Sequence, residues 1–248
     1  MGYVFDFKDS LAYVRSMEKP HNQHVSRLQN RLMFDMLKPK PLESVVDIGC
    51  GSGLRLLPFL DMDLQVTGVD PSLYMLDIAR KKIGNRCDLH QGIAEDLPFE
   101  DNAFNHAILV TTLEFVDDTD KAIEEACRVA KDHLFIGVLN RYSLKSVQRR
   151  IAGIFTQSIY NRAHFFSIWE IKRSIQKIMG DVPISWRTVC HFSRTGDTVN
   201  MIERSDLVKR CPFGAFTGVV VTLLPKFKTR PLSLKYPAGQ HPDAIAGL

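Results

Sequence analysis

The sequence predicts an α/β domain built on a mostly parallel sheet, and three observations predict it. Short β-branched runs alternate with amphipathic helical stretches from residue 41 to residue 140, the pattern of strands joined by right-handed crossover helices. The first run, Val45-Val46-Asp47-Ile48, opens into Gly49-Cys50-Gly51-Ser52-Gly53, a glycine at every second position. The second, Gln65-Val66-Thr67-Gly68-Val69, ends in Asp70, about 20 residues beyond the glycines. In open α/β sheets ligands bind past the carboxyl ends of the strands, where glycine backbone admits close approach and a carboxylate accepts both hydrogen bonds of a ribose diol.

Local signals place the elements in order. His24 to Leu37 reads as a polar helix that stops at Lys38-Pro39-Lys40-Pro41, because proline cannot continue it. Residues 1–40 are therefore expected to form an N-terminal helical lid. After the glycine turn come a helix near 54–60, the strand to Asp70 and a helix over 72–83. Asp70 and Ser72 each have a competing reading as that helix's N-cap, since Pro71-Ser72 leads into it. A short strand at 88–91, a loop at 92–99 and a buried-type strand at 105–110 follow. Asp118 to Ala130 carries apolar residues at 122, 123, 126, 127, 129 and 130, one face of a helix, and leads into a strand at 134–139. From 143 to 180 the pattern turns basic, aromatic and helical, with Arg149, Arg150, Phe155, Tyr160, Phe165, Phe166 and Trp169. This segment reads as an insertion within a domain spanning 41–224, before two last strands at 182–192 and 217–224. The proline-punctuated basic stretch 225–248 reads as a loosely ordered tail.

The 248 residues carry a net charge of +4, unevenly distributed. Residues 1–140 hold 15 Lys and Arg against 22 Asp and Glu, and residues 141–248 hold 17 against 6. A basic half reads either as a solvated face or as a surface for an anionic substrate, nucleic acid or membrane. With no run of 18 or more apolar residues and no apolar leader after Met1, the expectation is a cytoplasmic protein without a transmembrane segment. Five cysteines, at 50, 87, 127, 190 and 211, form no CxxC pair, so reduced thiols are expected and no metal site. Cys50 reads as a small filler of the turn.

Four segments together resemble the class I S-adenosylmethionine-dependent methyltransferases, the broad group with a type 11-like domain that includes ubiquinone and menaquinone methyltransferases. They are Val45 to Gly53, Val69-Asp70-Pro71-Ser72, Ala94-Glu95-Asp96-Leu97-Pro98-Phe99 with Asp101 to Phe104, and Thr111 to Asp118. The resemblance implies a Rossmann-like methyltransferase fold with a seven-stranded, mostly parallel sheet flanked by helices. It implies S-adenosyl-L-methionine as cofactor, with Gly49, Cys50, Gly51 and Gly53 beside its methionine part and Asp70, followed by Pro71, on its ribose. It also implies Ala94 and Glu95 along the adenine, Thr111 beside the amino-acid end, and Asp47 orienting the turn and the ammonium. Two positions depart from the family: Ile93 stands where an acid often meets the adenine amino group, and Asn105 where an aspartate is usual. The residues themselves agree. A dinucleotide turn reads GxGxxG, but Leu54 occupies its last glycine position and no Walker lysine follows, so phosphate binding is poorly supported.

Methyl transfer needs alignment and exclusion of water, and a base only where the acceptor must lose a proton. Glu114, Tyr142 and His164 are the leading candidates for that role, with His21, His24, Tyr160 and His191 as others. The basic aromatic insertion is expected to enclose a small-molecule acceptor, lipophilic or anionic, or to touch a membrane surface peripherally. Signatures of nucleic-acid modules are missing, which argues against nucleic acid. Two alternatives stand beside the enzyme: a sensor or scaffold that binds S-adenosylmethionine without turnover, and an NAD-dependent oxidoreductase.

Overall fold

A computed structural model of the chain describes residues 2–143, 163–190 and 205–223. Its strands are β1 Ser44–Ile48, β2 Gln65–Asp70, β3 Asp88–Gln91, β4 Phe104–Val110, β5 Ala130–Leu139, β6 Ile184–Val189 and β7 Phe216–Thr222. They form one sheet in the order β3-β2-β1-β4-β5-β7-β6. Since β1 pairs in parallel with both β2 and β4, the winding reverses beside it and leaves a crevice at the strands' carboxyl ends. Strand β7 runs antiparallel between β5 and β6.

Helices cover both faces. They are α1 Phe7–Met17, α2 Pro20–Leu37, α3 Leu56–Leu60, α4 Leu73–Ile83, α5 Thr119–Val129 and α6 Ile168–Met179. Alternate residues of β4 serve the two layers: Ala107 and Leu109 pack with α5 and α6, Ile108 and Val110 with α2, α3 and α4. Such near-continuous burial is what a parallel sheet covered on both sides requires. Side chains fix the helix starts. Ser72 Oγ accepts from Met75 N at the head of α4, and Ser167 with Glu170 forms a capping box at the head of α6.

Two expectations change. Helix α2 begins at Pro20 rather than near His24, and its Leu32, Met33 and Leu37 are buried against the sheet. Ahead of it lie the segment 2–5 and α1, a helix the polar N-terminal sequence did not reveal. Of the expected insertion, residues 144–162 lie outside the described residues, as do His191 and the stretch 225–248. The described remainder is the crossover helix to β6, with Ile168, Ile171 and Ile175 buried against α5 and the sheet. Among the described residues no helix is long and apolar enough to cross a membrane.

At the opposite end of the sheet from the crevice, His106 is buried with Nε2 2.8 Å from Glu43 Oε2 and stacks on His133 at 5.4 Å. The Nδ1 atoms of both histidines are buried without a partner. Burial and the neighbouring His106 hold the His133 pKa below its ordinary value, against the opposing pull of Asp132 and Glu43. Unfolded His133 therefore takes up a proton at a pH where the folded residue does not, so stability falls as pH drops through the ordinary histidine pKa of about 6.5. Urea unfolding across that range should show this loss. His133→Phe should flatten the slope, and an unchanged slope would remove the histidine pair as its source.

Candidate active site

The crevice beside β1 is a cavity of about 440 Å³. Its floor is the glycine turn. Gly49 and Cys50 donate their amides to Val69 O at 2.7 and 2.9 Å, which pins the turn to β2. Gly49 has φ +79°, and a Cβ there would lie 2.4 Å from Thr112 Oγ1, a hydroxyl that itself donates to Ile48 O at 2.8 Å. Gly51 has φ +53° and faces open space, so a side chain there would fill the cradle. Gly53, expected beside the cofactor, instead packs behind the turn, where a Cβ would meet Ile83 and Ala79 of α4.

Asp70 closes the cradle. Its Oδ2 accepts from Gly51 N at 2.8 Å and its Oδ1 from Ser72 N at 2.9 Å. Burial raises its pKa, and those two amides oppose the shift. Each oxygen retains acceptor capacity, and Asp70 and Pro71 both line the cavity. Asp47 lies beneath the turn. Burial pushes its pKa to about 7, with the nearby Arg55 lowering and Asp70 raising it. Cys50 lines the cavity, but burial, Asp47 and Asp70 hold its thiol well above the ordinary range, which leaves it inert as a nucleophile.

Ile93, Ala94 and Glu95 form one side. The Glu95 carboxylate turns to accept from Asp117 N at 2.9 Å. The loop behind it is clamped by a pair that sequence reasoning missed. Glu125 Oε2 accepts from Leu97 N at 2.9 Å, while Arg128 donates to Leu97 O, Phe99 O and Asp101 as well as to Glu125. The i,i+3 acid–arginine spacing on α5 was the available signal. Thr111, at the end of β4, lies in the left-handed region with φ 54°, unusual for a β-branched residue, and is held there by its amide on Gly137 O at 2.8 Å.

The roof was also missed. Tyr3, Phe5, Tyr13 and Phe115 form an aromatic cluster, with Phe5 edge-on to Phe115 at 5.4 Å and to Tyr13 at 6.0 Å. All four line the cavity, together with Met17, His21 and Val25 of the first two helices and Leu139 and Phe216 of the sheet.

The three leading proton-transfer candidates are not brought into this cavity. Glu114 turns into the core, where Oε1 accepts from Leu139 N at 2.6 Å and Oε2 is buried without a partner. Tyr142 is about half exposed and packs edge-on to Trp169 at 5.9 Å. His164 lies against Phe166 and 3.1 Å from Arg141 Nη2. Phe165 and Phe166, expected to enclose the acceptor, are buried in the core. Asn105 accepts from Ser44 and donates to Asp132 at 2.7 Å, ties that join β1, β4 and β5 away from the crevice.

This sheet order, with a glycine turn after β1 and a carboxylate ending β2, defines a Rossmann-like methyltransferase fold. A methyltransferase domain model matches residues 46–135. The demethylmenaquinone methyltransferase of Renibacterium salmoninarum is 33% identical over 190 residues, covering 70% of this chain and 79% of that protein. A demethylmenaquinone methyltransferase of Desulfitobacterium hafniense is 29% identical, over 51% of this chain and 58% of its own. Among solved structures, a Thermotoga maritima S-adenosylmethionine-dependent methyltransferase described as a possible histamine N-methyltransferase superposes with TM-score 0.67 at 25% identity, covering 87% of this chain and 96% of that one. The magnesium protoporphyrin IX methyltransferase of Synechocystis, solved with bound S-adenosylhomocysteine, shares the fold with TM-score 0.56 at 19% identity, over 82% of this chain and 83% of its own. The chain belongs to the class I S-adenosylmethionine-dependent methyltransferases, and S-adenosylmethionine is its cofactor.

Burial raises the Glu114 pKa to about 8, so the folded residue stays protonated where the unfolded one ionises. Its contribution to stability is thus lost as pH rises from the ordinary glutamate value toward about 8. Glu114→Gln keeps the acceptor for Leu139 N and removes the titration. It should raise stability near pH 8 by at least about 1 kcal/mol without loss of methyl transfer. A collapse of activity at unchanged stability would make Glu114 a participant in the chemistry.

Proposed function

We propose that this enzyme transfers the S-adenosylmethionine methyl group to an uncharged, apolar small molecule of aromatic type. The observation that carries the reading is the cavity's roof and far wall. Tyr3, Phe5, Tyr13, Phe115, Leu139 and Phe216 face it, and the lining contributed by residues 2–5, α1 and α2 includes no carboxylate. A flat apolar ring entering there gains contact with these aromatic and aliphatic side chains. The name of the relatives, demethylmenaquinone methyltransferase, points toward the same class.

S-adenosylmethionine, when bound, supplies an electrophilic methyl group on a positively charged sulfur. In our reading the free acceptor positions of Asp70 hold the ribose hydroxyls, and Gly49, Cys50 and Gly51 present backbone to the methionyl part. Arg55, which lines the cavity and donates to Asn30 Oδ1 at 2.8 Å, complements the carboxylate of the amino-acid end. Asp47 beneath it complements the ammonium and sulfonium charges. Ala94 and Ile93 border the adenine, with apolar contact in place of the acid the family often carries. Thr111, fixed in its unusual conformation, lies beside the amino-acid end, and the aromatic wall excludes water and aligns the acceptor. His21, on the first turn of α2, is the imidazole among the described cavity residues and is assigned the acceptor's proton where one must leave.

Transfer of radiolabelled methyl to an apolar solvent extract, against polar metabolite and macromolecule fractions, tests the acceptor class. Label confined to the apolar extract is expected, and label in the polar amines would overturn it. Asp70→Ala should weaken S-adenosylhomocysteine binding in calorimetry by at least about 1 kcal/mol, the loss of charge-assisted hydrogen bonds; equal affinity would refute the ribose assignment. For His21→Ala, turnover should fall about 100-fold for an acceptor that loses a proton. S-adenosylhomocysteine affinity should stay unchanged, and undiminished turnover would return the base to an open question.

A further inference from the structure

Residues 2–5 cross the cavity as a strap pinned at two points. Tyr3 N donates to Phe115 O at 2.8 Å, just beyond the end of β4, and Ser72 Oγ donates to Phe5 O at 2.6 Å, just beyond the end of β2. Gly2 sits so close to Phe115 O that a Cβ would lie 2.4 Å from it. Because β2 and β4 flank β1, a strap joining their ends passes over the glycine turn between them. It carries two of the rings of the aromatic wall, and the Tyr3 hydroxyl ties it to Asp9 of α1.

Ser72 is 2% exposed, and besides accepting from Leu76 N through its carbonyl it makes three further hydrogen bonds. Its amide holds Asp70 Oδ1 at 2.9 Å, its hydroxyl accepts from Met75 N at 3.3 Å, and the same hydroxyl donates to the strap. One buried residue therefore touches the carboxylate at the cofactor end, the head of α4, and the backbone that builds the acceptor end. Gly2, Tyr3, Val4 and Phe5 thus line the same cavity as Gly49, Cys50 and Gly51 of the glycine cradle.

We propose that Ser72 is a positioning residue that couples the two ends of the cavity: occupying the cofactor end stiffens the strap through Ser72, and with it the wall that receives the acceptor. The proposal rests on the methyltransferase reading of the site. Coupling of this kind is reciprocal, so a strap that closes on the ligand also slows its escape. The polar pin is a small, specific contact beside a larger aromatic one, and that makes it separable by mutation.

The test is hydrogen exchange of the full chain with and without saturating S-adenosylhomocysteine. In the wild type, ligand should slow exchange across residues 3–17 by at least about fivefold, with α6 unaffected. Ser72→Gly removes the pin, while glycine at an N-cap costs the helix little. This variant should lose the ligand-linked slowing and keep S-adenosylhomocysteine affinity within about tenfold. The same slowing in Ser72→Gly, or none in the wild type, would overturn the coupling. Should Ser72→Gly fail to fold, deletion of residues 2–5 decides: S-adenosylhomocysteine should dissociate at least about fivefold faster, and an unchanged rate would overturn the proposal. A wild-type chain that binds no S-adenosylhomocysteine would overturn the site reading itself, a separate result from lost coupling.

Discussion

The Asp70 carboxylate, held between the amides of Gly51 and Ser72, ties the glycine turn after β1 to the head of α4. A carboxylate this deeply buried costs several kcal/mol unless charge-assisted hydrogen bonds offset its desolvation. Two amides offset part of that cost, and its pKa remains raised. The residue is therefore poised to gain from further donors, which a ribose diol supplies. The positive φ of Gly51, the pinning of Gly49 and Cys50 to Val69 O, and the descent of the strap onto Ser72 all meet at this carboxylate.

Three buried acids near the crevice show how environment divides their work. Asp70 faces the cavity and keeps free acceptor sites. Asp47, under the turn with a pKa near 7 and Arg55 beside it, is set where a bound cationic ligand would favour its charged form. Glu114 faces away, protonated up to about pH 8, and fastens the end of β5 through Leu139 N. The chemistry asks little of a base, since the leaving group departs as a neutral thioether; shape and dryness of the cavity matter more. The aromatic strap supplies both.

Much of the sheet was legible in the sequence because its strands are short β-branched runs bounded by glycine, proline and acidic punctuation. Strand β2 spans 65–70 and β3 spans 88–91, where the sequence put them. The glycine cradle and the carboxylate beside it were legible for the same reason, since a glycine turn and an acid at set spacing express backbone geometry directly. The aromatic roof of the cavity was not. Glu114 follows the strand that borders the cavity, but the single turn of 3₁₀ helix at Leu113–Phe115 points its side chain into the core and Phe115 into the cavity. The stretch 163–169 is rich in aromatics, but its Phe166 and Ile168 are core and Trp169 is surface. The roof came from the N-terminus, where Tyr3 and Phe5 precede α1 and meet Tyr13 and Phe115 only when the folded chain brings residues 2–5 to Phe115.

The most direct measurement of the central claim is a crystal structure of the full chain grown with S-adenosylhomocysteine. The ribose hydroxyls should lie on Asp70, the homocysteine backbone over Gly49 to Gly51, and the sulfur should be directed toward the wall of Phe5 and Phe115. Ligand bound elsewhere, or in this cavity with Asp70 still contacting only Gly51 and Ser72, would contradict it.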